Sequence, residues 1–191
     1  MKIKTYTKAA ILALTLSTSA MAADYKIDTQ GMHASVLFKI SHLGTSWLRG
    51  GFDKFDGNFS YDVKKPNDSK ITMNVDTTSI NTNHAERDTH LQADGLLNTG
   101  EFSNATFTSS KFNWANENQG TVTGKLTLHG TEKTVMMAIE KVGEGKDPWG
   151  GYRVGFEGKM TIKLADYGMT KNLGPASETL ELIVAIEGIK Q

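Results

Sequence analysis

His84, Glu86, Arg87, Asp88 and His90 stand close together in "NTNHAERDTHLQADGLLNTGEF" (Asn81 to Phe102), where the flanking chain carries few titratable groups. Two chemistries suit such a set. A zinc helix needs two histidines four residues apart, so that both reach one ion. His84 and His90 are six apart, about 240° around a helix, and face different ways. Glu86 and His90 do have the four-residue spacing, but His33, His42 and His129 sit near predicted strand ends without ligand spacing. No metal site and no cofactor are expected. General base work by Glu86 or Asp88 requires a raised pKa, which a solvated helix does not supply. Hydrolase signatures are absent, since the chain has no cysteine and no G-x-S-x-G elbow. "WGGYRVG" is glycine-rich but leads into a strand, so it lacks the geometry of a phosphate loop.

The element carrying these residues is predicted to be a helix over 84–94. Asn83 followed by Glu86 resembles a capping box, and Gly95 suits the residue just past a helix end. On this helix His84, Arg87, Asp88 and Leu91 share one side.

Around it the dominant period is two. Phe55, Gly57, Phe59, Tyr61 and Val63 alternate with Asp56, Asn58, Ser60 and Asp62. The same alternation runs through Ala34 to Ile40, Ile71 to Val75, Val122 to Leu128, Val135 to Ile139, Val154 to Leu164 and Leu180 to Ile186. Such segments are antiparallel strands with one buried face. Turn signals fall at Gly50-Gly51, Lys65 to Asp68, Asn116 to Gly120 and Gly143 to Gly151. The count is about eight strands, an all-β chain, and period alone admits a sandwich or a closed barrel. Long strands interrupted by Gly57, Gly124 and Gly158 favour the barrel, whose interior is either filled by side chains or holds one small ligand.

Lys2, Lys4 and Lys8, the apolar run "AAILALTL" and Ala20-Met21-Ala22 read as a signal peptide over 1–22, leaving 23–191 as one exported domain. The run is too short to span a bilayer, so no stable membrane insertion is expected. The chain balances 21 basic against 21 acidic residues, and loss of the leader lysines makes it mildly acidic. Nucleic-acid binding, which needs a basic face, is set aside.

"ADYKID", "HASVLFKISHLG", "TNHAERDTHL", "ATFTS", "GKLTLHG", "DPWGGYRVGFEG" and "LGPAS", in this order, resemble the YceI-like family of bacterial periplasmic proteins over the chain that follows the leader. The resemblance implies a lipocalin-like, antiparallel, eight-stranded β-barrel with a short helix inserted near one end, around an apolar tunnel for polyisoprenoid chains such as quinones or polyprenyl phosphates. It implies a non-catalytic carrier, and a homodimer is compatible with it. Gly95-Leu96 stand where the family usually has an aromatic, a change expected to reshape the entrance. On this reading Phe38, Phe55, Phe59, Met73 and Val75 form one part of the tunnel wall. Phe156, Met160, Ile162, Leu182 and Val184 form the other. Arg87, Asp88 and His90, with Trp149 and Arg153, are the candidates for the head-group end. Two other readings stand beside it: an enzyme acting on a lipid-like substrate, and a filled barrel that presents its helix to a partner.

Overall fold

The computed structural model describes residues 22–191, so the leader but for its last residue lies outside the described residues. Eleven strands form one antiparallel sheet that closes on itself. They are β1 (Ala23–Ile27), β2 (Ser35–His42), β3 (Ser46–Phe52), β4 (Phe55–Tyr61), β5 (Lys70–Asp76) and β6 (Ile80–Asn81), then β7 (Asn104–Trp114), β8 (Gln119–Leu128), β9 (Thr131–Lys146), β10 (Tyr152–Lys163) and β11 (Thr179–Lys190). Three staves of the barrel are broken in two. β1 and β2 pair in turn along β11, while β3 and β4 pair with β2 and β1, and β6 and β5 with β3 and β4. The remaining strands are continuous, which makes a closed eight-stranded barrel, as the resemblance implied and the long, glycine-interrupted strands favoured over a sandwich.

The pleat explains which side chains enter. Val36 and Phe38 are buried while Leu37 between them is exposed; Phe59 and Tyr61 of β4 and Val154 of β10 also point inward. Curvature comes from two irregularities, at Ser109/Lys111 between β7 and β8 and at Gly155/Phe156 between β9 and β10. Interior glycines serve close packing. A Cβ on Gly124 would stand 2.5 Å from the Phe107 ring, and one on Gly188 would overlap the ring of Phe59. Each glycine lets an aromatic ring lie flat across the neighbouring strand.

Two turn assignments change. Gly50-Gly51 lie inside β3, where a Cβ would meet Phe38 and Leu37; the hairpin turn is at Leu43-Gly44. Gly143 and Gly145 belong to β9, and the turn after it spans Asp147–Gly151.

The one α-helix among the described residues, α1 (Ala85–Leu91), is shorter than expected and starts differently. His84, not Asn83, caps it: its Nδ1 accepts the Arg87 amide at 3.2 Å. Asn83 has φ 60°, and its amide donates to Asn81 Oδ1. The helix ends at Leu91 because the chain folds back: the Leu97 amide donates to the Leu91 carbonyl and the Thr99 amide to that of Gln92. Gly95, at φ 76°, makes this return turn and is not the helix C′ residue.

Candidate functional site

Inside the barrel lies a cavity of about 720 Å³. That volume falls in the range of ligand pockets and argues against a filled interior. Its walls come from the inward positions of the strands. Phe38, Phe59, Met73 and Val75 line it from the broken staves; Phe156, Met160, Ile162, Leu182 and Val184 line it from β10 and β11. Phe55 does not. It is half-buried and packs against the core cluster around Tyr25 and Phe59, behind the wall.

Several lining residues escape sequence reasoning. Phe107 and Phe112 both face the cavity although five positions separate them. The bulge near Ser110 inserts one residue and flips the phase of β7, so strict alternation places them on opposite faces. That odd spacing within one strand was the available signal. Leu97, Met169 and Leu173 line the cavity from segments without a period, and no sequence pattern marks them.

At the end of the barrel where β2 turns into β3, α1 and the 164–178 segment reach over the opening. Arg87, His90, Leu91, Leu96 and Leu97 line the cavity here, with His42, Leu43 and Leu48 opposite. Leu96 is buried, so it turns into the mouth and fills part of the space that an aromatic would take. Arg87 is held by Thr82: Nε donates to Thr82 Oγ1 and Nη2 to the Thr82 carbonyl, each at 2.7 Å. Asp88 accepts from the Thr82 amide and hydroxyl at 2.9 and 2.5 Å. Its carboxylate therefore anchors the helix and does not line the cavity. His90 Nε2 lies 2.6 Å from Lys171 Nζ, which donates to it. His42, Leu48 and Arg87 also border a smaller outer pocket with Trp47 and Arg49, so the mouth is rimmed by cations.

The opposite end is closed by aromatic and polar side chains. The Phe156 ring meets Phe59, Tyr61 and Trp114, with centroids 5.7, 5.2 and 6.0 Å away. Beside them Lys141 Nζ pairs with Glu144 at 3.1 Å, and the Tyr152 hydroxyl donates to the same carboxylate. Burial pushes the Tyr61 phenol up from its ordinary value. For Lys141, burial acts to lower the pKa, but the Glu144 hydrogen bond, with Tyr61, outweighs it and the net shift is upward.

Trp149 and Arg153 do not join the head-group set. Arg153 lies opposite Ile189 of β11, whereas the α1 end of the barrel lies opposite Leu180. Its side chain points out of the barrel because Val154, next in the strand, points in. There Nη1 donates to Asp28 at 2.7 Å and to Glu187 at 2.5 Å, and Nε to Asp147 at 2.8 Å. The exposed Trp149 ring lies 5.6 Å from the guanidinium carbon. Arg153 ties the 28–34 and 147–151 loops to β11. Its hydrogen bond, helped by the Gly31 amide and against the cost of burial, lowers the Asp28 pKa to about 2. Asp28, His33 and Glu187 have the spacing of metal ligands. The Arg153 guanidinium already lies on both carboxylates and fills the place a cation would take.

Residues 25–188 match the YceI-like domain. A UPF0312 protein of Ectopseudomonas mendocina is 53% identical over 189 residues, covering 96% of this chain and 99% of its own. Among solved structures, BcnA of Burkholderia cenocepacia superposes with a TM-score of 0.75 at 21% identity, over 84% of this chain and 98% of that one. A polyisoprenoid binding domain from Saccharophagus degradans superposes with a TM-score of 0.62 at 18% identity, over 90% of this chain and 99% of that one. At such identities the two structures speak for the fold, while the domain match and the relative at half identity settle membership. The chain belongs to the YceI-like family.

Proposed function

We propose that this protein is a non-catalytic binding protein that carries a long isoprenoid lipid, of the quinone or polyprenyl phosphate type, through the periplasm. The observation that carries the reading is the barrel cavity of about 720 Å³, walled by aliphatic and aromatic side chains, with its fixed polar groups gathered at the ends. Each CH₂ withdrawn from water contributes about 0.8 kcal/mol, so an apolar chain of several isoprene units gains most of its affinity from such walls. Specific polar contacts are then needed only at one end, and Arg87 and His90 stand at the α1 mouth for that purpose. Membership of the YceI-like family supports the reading, as does the likeness in fold to a domain described as polyisoprenoid binding. The leader-like segment over 1–22 supports export, and no helix among the described residues is long and apolar enough to cross a membrane. The acid–base alternative loses ground to geometry, because Asp88 is bound to Thr82 and His90 to Lys171.

Lipid extraction of protein purified from its native compartment, followed by mass spectrometry, tests the proposal. An isoprenoid held in stoichiometric amount is expected. Repeated recovery of an empty barrel that also takes up no added quinone or polyprenyl phosphate would overturn it.

A further inference from the structure

The turn between β2 and β3 carries two costs at one residue. Leu43 sits at its tip with φ 56°, a left-handed conformation that a branched, bulky side chain rarely adopts. The next residue, Gly44, has φ 74°, and the Thr45 amide closes the turn on the His42 carbonyl at 3.0 Å. With both central residues at positive φ, this turn favours Asn-Gly. The Leu43 side chain is also 67% exposed, and Trp47, on the outer face of β3, is 58% exposed. The tip is braced: the Ser177 hydroxyl donates to the Ser41 carbonyl at 2.6 Å, and the Gly44 amide to Ser41 Oγ at 3.2 Å. Neither strain nor exposure of a large apolar residue is relieved here, although an asparagine would relieve both.

The surroundings point to what covers this tip. Lys39 Nζ lies 4.7 Å from the centre of the Trp47 ring, and Arg49 and Arg87 border the same outer pocket as Trp47. Glu181 offsets Lys39 at 2.7 Å, but Arg87 is bonded only to the neutral Thr82, and Arg49 enters none of the ion pairs among the described residues. Glu181 also lies within electrostatic reach of Arg49, so one carboxylate offsets this group of cations only in part. An aliphatic and an indole side chain projecting among such cations suit a membrane interface with anionic headgroups. They suit a second copy of this chain poorly, since a two-fold contact would bring Arg49 against like charge.

We propose that the Leu43 tip, with Trp47 and Arg49, docks this barrel onto an anionic phospholipid surface with the cavity mouth facing the bilayer. Leu43 and His42 line that mouth, so docking would let an apolar chain pass between bilayer and barrel without crossing water. This consequence rests on the carrier reading; the docking itself does not.

Flotation of the purified protein with vesicles of phosphatidylcholine, with or without phosphatidylglycerol, tests it in the absence of any barrel ligand. The protein is expected to float with the phosphatidylglycerol vesicles. Leu43→Asn and Trp47→Ser should each lower partitioning by about tenfold to a hundredfold, the factor that burying one large apolar side chain is worth. Arg49→Gln should lower it about fivefold on anionic vesicles and leave neutral ones unaffected. Leu43→Asn should also raise the melting temperature, which separates lost docking from lost folding. No flotation of the wild type, equal flotation of Leu43→Asn, or self-association through this tip without vesicle binding would each overturn the proposal. Docking without isoprenoid uptake would overturn the carrier reading alone, and uptake from micelles without docking would overturn this one alone.

Discussion

Thr82 and Arg87 are joined twice, through the threonine hydroxyl and its backbone carbonyl, and the same hydroxyl donates to Asp88. Thr82 is buried while Arg87 and Asp88 are partly exposed, so these bonds are partly shielded from competing water. One residue thus fixes the helix over the mouth and leaves the remaining guanidinium face turned to the cavity. Thr82→Val keeps the shape and removes the hydroxyl. It is expected to cost about 1–3 kcal/mol, the price of leaving buried polar groups unpaired, and to weaken retention of a polyprenyl phosphate more than that of a quinone. Denaturant melts and parallel binding titrations check both.

The cavity wall gives a second prediction. Val184 lines the cavity on β11, flanked in register by Val36 of β2 and Gly158 of β10. Val184→Phe should grow into open space with little change in melting temperature. Excluding two or three CH₂ groups of a chain should lower affinity about tenfold to fiftyfold. Uptake of isoprenoids of graded length checks it, and short chains should be least affected.

Asp28 predicts an acid response. Its folded pKa of about 2 lies below the unfolded value of about 4. A depressed carboxylate stabilises the fold above the unfolded value, and that contribution fades as pH falls from about 4 towards 2. Asp28→Asn should therefore be less stable than the wild type at neutral pH, with the gap narrowing across this acid window. Urea unfolding at a series of pH values reads the difference.

Gly95 predicts a local backbone cost. At φ 76° any side chain is strained, and the Gly95 carbonyl accepts the Lys171 amide at 2.9 Å. Gly95→Ala should cost about 1–2 kcal/mol. Amide exchange of Lys171 should rise with it, because this bond ties the 164–178 segment to the return turn after α1.

Much of this was legible in the chain itself. Alternation in β2, β4, β5, β10 and β11 marks inward positions, because the pleat sends successive side chains to opposite faces whatever surrounds them. Nine of the ten wall residues expected from that pattern line the cavity. Phe55 fails because β4 begins there, where the stave is broken after Phe52 and Asp53-Lys54 leave the sheet. Phe107 and Phe112 were hidden by a bulge that shifts the period without any residue type announcing it.

The sequence by itself determined the class of fold, the inward stripes, the place of a short polar helix and the family. All of these rest on local periodicity or on ordered short motifs. Only the tertiary structure decided which charges meet. Arg87 and Arg153 look alike in the sequence. One is turned by Thr82 to the cavity mouth, and the other is drawn outside the barrel by Asp28, Asp147 and Glu187. Asp28 and Arg153 are 125 residues apart in the chain. Closure of β11 onto β1 brings their loops together, and no periodicity or spacing along the chain encodes a contact made by closing a sheet.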